Sequence, residues 1–196
     1  MRELIIVTDN PGKLKEYQDK LKPIKCIPFR DVVDIGDIEE TGLTFKKNAF
    51  IKANAVYQKI KRPCLADDSG LIVDALPNDL GVHSKRFSIE ATGSANNQLL
   101  LKKLMNHSNR KAHFYTCICL MIPGQKPKYY HGKVTGEIIK APRGKAGFGY
   151  DPLFLPKSSN KTLAEMTLKE KNLCSHRAKA IEKLVEDLSN ETHRFL

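Results

Sequence analysis

A chain of 196 residues, 41% hydrophobic and 28% charged, is long enough for one well-packed core and too short for two independent large domains. Its Gly and Pro are scattered, which excludes a linker-dominated or disordered protein. The formal charge of +11 attracts polyanions generally, free nucleotides and nucleic acids among them, but the lysines form no basic arm and are not interleaved with stacking aromatics, so no stable nucleic-acid complex is expected.

In chain order, Arg2 to Thr8 reads as a buried strand, and Asn10-Pro11-Gly12 opens an amphipathic helix to about Lys20 with Leu14, Tyr17 and Leu21 at helical spacing. Lys25 to Phe29 is a second strand, and the acidic stretch Asp31 to Glu40 has turn residues and no sustained period, so it is a loop. From Thr44 to Lys61, Phe45, Ala49, Ala53, Val56 and Ile60 share one helical face, and Pro63 ends the segment. Cys64-Leu65-Ala66 and Leu71-Ile72-Val73 are apolar runs flanking Asp67-Asp68-Ser69-Gly70, which reads as a turn or bulge between two strand pieces.

Ala95 to Met105 reads as a helix, and Ala112 to Ile122 with Tyr129 to Ile139 as a long antiparallel pair joined at Pro123-Gly124-Gln125. Ala141 to Gly149 is a Gly-rich loop carrying Arg143 and Lys145, Tyr150-Asp151-Pro152 turns the chain, and Ser175 to Leu188 is a closing helix. Early alternation of strands and helices followed by a hairpin argues a mixed-sheet α/β protein built as a single unit. The five cysteines are an odd set without CxxC spacing, the usage of a reducing compartment. No apolar stretch reaches bilayer length and the first one is too short for a signal-peptide core, so the expectation is a cytoplasmic protein with no membrane association.

Three places carry chemistry. Thr8-Asp9-Asn10-Pro11-Gly12-Lys13 joins a strand end to a helix start with an Asn suited to N-cap, a Pro at the first helical position and a Lys in the first turn. Unpaired N–H groups and the positive helix end there can hold phosphate, although the same residues also make a plain capped turn. Asp67-Asp68 places two adjacent carboxylates that need a cation or basic side chain beside them; one can ligate a hard cation such as Mg²⁺ while its neighbour activates water, and an Asx turn is the bland alternative. Glu39-Glu40 offers further carboxylates, and Phe148-Gly149-Tyr150-Asp151 pairs rings with a carboxylate in a way that suits a stacked base or simple core anchoring. No HExxH and no GxSxG occurs, so zinc hydrolysis and serine chemistry find no support.

Set in order, TDNPGKLKEY, EETGLTFKKNAFIKANA, LADDSGLIVDAL, GKAGFGYDPLF, TLAEMTLKEKN and SHRAKAI resemble the inosine triphosphate pyrophosphatase family, the non-standard purine NTP pyrophosphatases. The likeness runs from about Leu4 to Leu184. It implies an elongated mixed β-sheet flanked by helices, in two lobes with a central nucleotide-binding cleft, usually in a homodimer. It implies Mg²⁺-dependent hydrolysis of ITP, dITP and XTP to the monophosphate and pyrophosphate. By position, Thr8, Asp9, Asn10, Pro11, Gly12 and Lys13 would cradle the triphosphate, Asp68 would be the metal-linked catalytic carboxylate or general base, and Ser69 would contact substrate. Glu39 and Glu40 would complete the Mg²⁺ environment with Asp68. Phe148, Gly149, Tyr150 and Asp151 would hold the base, with Lys171, His176 and Arg177 completing recognition of phosphate and of the 6-keto purine. The family usually has Gly where this chain has Asp9, which sets an extra negative charge beside the cradle, and Leu80, His83 and Lys85 depart from its pattern in the loop before Phe87.

Overall fold

The computed structural model describes residues 2–193, with side chains to residue 190. β1 (Glu3–Val7) buries Leu4, Ile5, Ile6 and Val7 in succession, the continuous apolar run of an interior parallel strand. It pairs in parallel with β2 (Lys25–Pro28) on one side and β3 (Cys64–Val73) on the other. Between them run α1 (Pro11–Lys20) and α2 (Phe45–Ile60). Each starts where a side chain accepts a first-turn N–H: Asn10 from Lys13, Thr44 from Lys47. α2 closes on Lys61 in the left-handed region, two residues before Pro63.

β3 corrects the sequence reading. Asp67 to Gly70 is not a turn between two strand pieces: the strand runs through it for 10 residues. Two buried carboxylates sit inside it because cationic and amide groups from neighbouring elements meet them, a non-local compensation invisible to periodicity.

α3 (Gly93–Lys103), β4 (Lys111–Met121) and β5 (Lys128–Ile138) follow. β3 and β4 are antiparallel neighbours: the Asp74 N–H donates to Lys111 O while Thr116 Oγ1 lies 3.3 Å from Asp68 O, so the registers run in opposite order. The link from β4 to β5 is too short for a parallel crossover, so this pair is antiparallel as expected. Two short elements go unforeseen, β6 (Phe154–Pro156) and α4 (Leu168–Cys174). β6 has too few residues to show a period. α4 carries a legible signal, the capping box Thr167-x-x-Glu170, in which each side chain takes the other's backbone N–H. α5 (His176–His193) begins one residue later than predicted and runs beyond Leu188.

The six strands form one mixed sheet in the order β2-β1-β3-β4-β5-β6, the α/β class expected. The chain divides into two compact units. Among the described residues unit 1 comprises 2–68, 116–132 and 177–193, and its core is Leu4, Ile6, Tyr17, Leu21, Leu65, Ile118, Ile181 and Leu184 with their neighbours. Unit 2 comprises residues 69–115 and 133–176, built on Leu71, Leu100, Leu104, Phe114, Ile138, Leu153, Phe154 and Leu163. Among the described residues no helix is long and apolar enough to cross a membrane.

Candidate functional site

In unit 1 the helix start behaves as its residue types dictate. Asn10 Oδ1 accepts the Lys13 N–H at 3.0 Å, the Asn10 N–H donates to Thr8 Oγ1 at 3.2 Å, and Pro11 occupies the first turn without wasting a donor. Asp9, which threatened the cradle with a negative charge, is engaged by Arg30: Nε and Nη2 donate to its two oxygens at 2.9 and 3.1 Å. Arg30 also donates to Ile35 O and lies over the Phe29 ring.

Lys13 reaches from α1 to β3, donating to Asp67 Oδ2 at 2.9 Å. The same oxygen accepts from Arg177 Nε and Nη2 at 3.4 and 3.3 Å and from Thr116 Oγ1 at 3.3 Å. Arg177 in turn pairs with Glu16, three residues along α1 from Lys13. Lys13, Glu16, Asp67 and Arg177 thus make a buried chain of alternating charge. Burial lowers the Lys13 pKa, and Asp67 opposes that shift. For Arg177 burial also works against the charge, but Asp67 and Glu16 more than offset it and its pKa rises. The phenol of Tyr17 lies against the same group, its pKa raised by burial and then by Asp67.

Asp68 points to a different set. Asn48 Nδ2 donates to its Oδ2 at 3.1 Å, and Lys52 Nζ stands 3.7 Å from its Oδ1 and 3.2 Å from Glu40 Oε1. Burial raises the Asp68 pKa; Lys52 opposes the shift and Glu40 adds to it. Of the two candidate glutamates, Glu40 is the one that shares a cation with Asp68, whereas Glu39 is exposed. Among the described residues no three His, Cys, Asp or Glu side chains cluster closely enough to hold a metal by themselves. The arrangement is two hard-oxygen donors around one positive charge, which suits a cation that completes its shell from a phosphate and water.

Asn48 and Lys52 are not among the residues expected at the site, although both stand in the segment EETGLTFKKNAFIKANA at an i, i+4 spacing that puts them on one face of α2. Arg177, expected at the substrate, is 1% exposed and bound to Asp67 and Glu16. Glu16 and Thr116 had no local signal: their charge or hydroxyl gains meaning only from partners far away in sequence.

Unit 2 holds the aromatic loop. Asp151 Oδ2 accepts the Phe148 N–H at 2.9 Å and Lys171 Nζ at 2.7 Å, and that ammonium lies 4.4 Å from the centre of the Phe148 ring. Gly147 has φ +76°, and a Cβ there would meet Asp151 Oδ2 at 2.1 Å, so only glycine permits this turn. The Tyr150 hydroxyl donates to Ser84 O at 2.7 Å and its side chain is buried, which makes it an anchor of the loop. Gly149 O accepts from Asn97 Nδ2 at 3.1 Å. His176 is buried with its ring stacked on Phe114, centroids 4.8 Å apart. Ser69, half-buried on β3, also falls in this unit.

The structure therefore gathers Thr8, Asn10, Lys13, Glu40 and Asp68 with Lys52 in unit 1, and Phe148, Gly149, Tyr150, Asp151, Lys171 and His176 in unit 2. The model of the Ham1 family matches residues 4–187. The dITP/XTP pyrophosphatase of Bacillus subtilis (strain 168) is 43% identical over 190 residues, covering 94% of this chain and 96% of that protein; the one from Aquifex aeolicus (strain VF5) is 43% identical over 198 residues, 96% and 97% covered. Among solved structures, the Staphylococcus aureus Ham1 protein superposes with a TM-score of 0.87 at 35% identity, covering 96% of this chain and 99% of that one. The HAM1 protein from Coxiella burnetii gives the same TM-score, 0.87, at 42% identity, with 97% and 100% covered.

Proposed function

The chain belongs to the Ham1 family, and on that premise we propose that it hydrolyses the non-standard purine nucleoside triphosphates dITP, XTP and ITP to the monophosphate and pyrophosphate, with Mg²⁺ as cofactor. The observation that carries the reading is a proline-started, Asn-capped helix end whose Lys13 meets the buried Asp67-Asp68 pair of β3.

Asp68 is the group that accepts a proton from the attacking water. In the protein without metal, burial raises its pKa and Lys52 opposes that shift. Asn48 fixes which of its oxygens is already engaged. Lys13, with the N–H groups of the first turn of α1, offers positive charge to the triphosphate chain where negative charge is handed to the departing pyrophosphate. Asp67 is spent on Lys13 and Arg177 and acts as their counter-ion. The residues present fit a divalent cation: Asp68 and Glu40 offer hard oxygens around a position that already accommodates the Lys52 charge. Bound there, Mg²⁺ would neutralise phosphate charge and polarise the phosphoryl group.

In unit 2, Phe148 supplies a face for stacking, while Lys171 and His176 supply donors suited to the O6 of hypoxanthine or xanthine. Adenine presents an amino group there, which would leave buried donors unpaired. In the same reading the enzyme works as a cytoplasmic homodimer and needs no nucleic-acid partner.

Pyrophosphate release from dITP, XTP, ITP, ATP, GTP and CTP, with Mg²⁺ and with EDTA, tests the reading. Metal-dependent release confined mainly to dITP, XTP and ITP is the expected result. Equal use of ATP, or release that survives EDTA, would overturn it.

A further inference from the structure

Asn48 makes two bonds that no other residue of α2 could make together. It lies at the start of the helix, its backbone N–H bonded to Thr44 O at 3.0 Å, and is 1% exposed. Its amide nitrogen donates to Asp68 Oδ2 at 3.1 Å, and its amide oxygen accepts the Gly42 N–H at 2.7 Å. Gly42 stands two residues after Glu40, whose carboxylate shares Lys52 with Asp68.

We infer that Asn48 is a positioning residue that clamps the loop carrying Glu40 to the strand carrying Asp68, so that a divalent cation meets the two carboxylates as one preformed pair. The inference rests on the metal-dependent reading above and goes beyond it by naming what holds the pair together.

The chemistry selects the residue type. The link needs one donor and one acceptor in a short planar group: an aspartate has no donor when ionised, a serine is too short to span both partners, and an apolar residue supplies neither. The opposite end is equally constrained. A Cβ on residue 42 would meet Asn48 Oδ1 at 2.6 Å and Lys47 Cβ at 2.8 Å, so the loop closes on the amide only because glycine leaves room. Helix capping does not account for Asn48, because Thr44 already caps α2 by accepting the Lys47 N–H at 3.1 Å. Preorganisation of this kind spares the cation the cost of ordering a loop as it binds.

The clamp is tested on the whole chain with Asn48→Ala, Gly42→Ala and the double variant, each checked by circular dichroism and melting temperature. Three readouts are taken: hydrogen exchange at the Gly42 amide without metal, Mn²⁺ binding by electron paramagnetic resonance, and kcat with the half-activating Mg²⁺ concentration on XTP. In Asn48→Ala, exchange at Gly42 should rise and Mn²⁺ binding weaken by about tenfold, the scale of a lost hydrogen bond to a charged or loop-holding group, with kcat reduced as well. Gly42→Ala should weaken Mn²⁺ binding to a similar degree with a smaller loss of kcat, since the bond to Asp68 survives. The double variant should bind Mn²⁺ no worse than Asn48→Ala, because one clamp cannot be broken twice.

Variants that melt earlier yet leave Gly42 exchange and Mn²⁺ affinity within about twofold of wild type would reduce Asn48 to a structural residue and overturn the inference. If Asn48→Ala does not fold, Gly42→Ala decides it by the same readouts. Wild-type protein that releases no pyrophosphate from XTP would defeat the functional reading instead, and the exchange and Mn²⁺ measurements would still judge the clamp because neither needs turnover.

Discussion

The charged centre of unit 1 and the aromatic loop of unit 2 sit on different kinds of backbone. In unit 1 Lys13 hangs on α1, Asn48 and Lys52 on α2, Asp67 and Asp68 on β3, and Arg177 on α5; regular elements fix the charges, and the charges fix one another. In unit 2 Phe148, Gly149 and Asp151 lie in an irregular loop with glycines at positive φ, tied down by Asp151 to Lys171 and by Tyr150 to Ser84. Proton transfer and phosphate neutralisation tolerate little displacement and profit from rigid elements, whereas recognition of a base edge is adjusted by loop residues without disturbing the charged centre. On the proposed function, turnover belongs to unit 1 and base discrimination to unit 2, and substitutions should separate the two.

The largest effect belongs to Asp68→Asn, which should cut turnover by about a thousandfold, the scale of losing a general base, for every nucleotide alike. Stability should move the other way. The folded-state pKa of Asp68 is raised, so its favourable contribution is fully present below the ordinary carboxylate value and is lost as pH rises through the folded value. A neutral asparagine removes that penalty, and the melting temperature at pH 7 to 8 should equal or exceed that of wild type. Asp68→Asn that keeps turnover, or unfolds near neutrality, breaks the assignment.

Next comes the buried chain of charges. Arg177→Met leaves Glu16 and Asp67 without their shared cation, and breaking a buried pair from one side costs about 3–5 kcal/mol, measurable by urea denaturation. Lys13→Met tests the same chain from its other end: it should raise KM for the triphosphate far more than it lowers stability, since Lys13 is the member offered to substrate. Equal stability losses for both variants would show that Lys13 is only a structural counter-ion. The smallest effect is at Asp9, whose partner Arg30 lies at the surface. Asp9→Gly should change KM by less than about threefold, as expected for a solvent-exposed ion pair.

Much of this was legible in the amino-acid order and some was not, for physical reasons. The strand-turn-helix of Leu4 to Lys20 was readable because a buried apolar run, an N-cap and a first-turn proline are local signals. The unbroken course of β3 was not. Asp67 and Asp68 look like turn residues until Lys13, Arg177, Asn48 and Lys52 arrive from other elements to compensate them. The same holds for Arg177, whose place at a helix start suggests a surface phosphate contact, while its burial on Asp67 and Glu16 depends on residues more than a hundred positions away. Resemblance supplied the identity of Asp68 and of the Phe148 to Asp151 loop, and the fold supplied Asn48, Lys52 and Glu16. Among the glutamates, side-chain placement distinguished Glu40 from Glu39 where adjacency in sequence could not.

The division between turnover and discrimination is most directly tested by the ratio of kcat/KM for XTP to that for ATP, measured with saturating Mg²⁺ in wild type and in His176→Phe, which keeps a ring against Phe114 and removes the donors. The ratio should fall by about tenfold, the worth of a lost hydrogen bond, chiefly through loss of XTP use. A ratio that stays constant while both substrates decline by the same factor would contradict it, and would place His176 with the residues that support turnover.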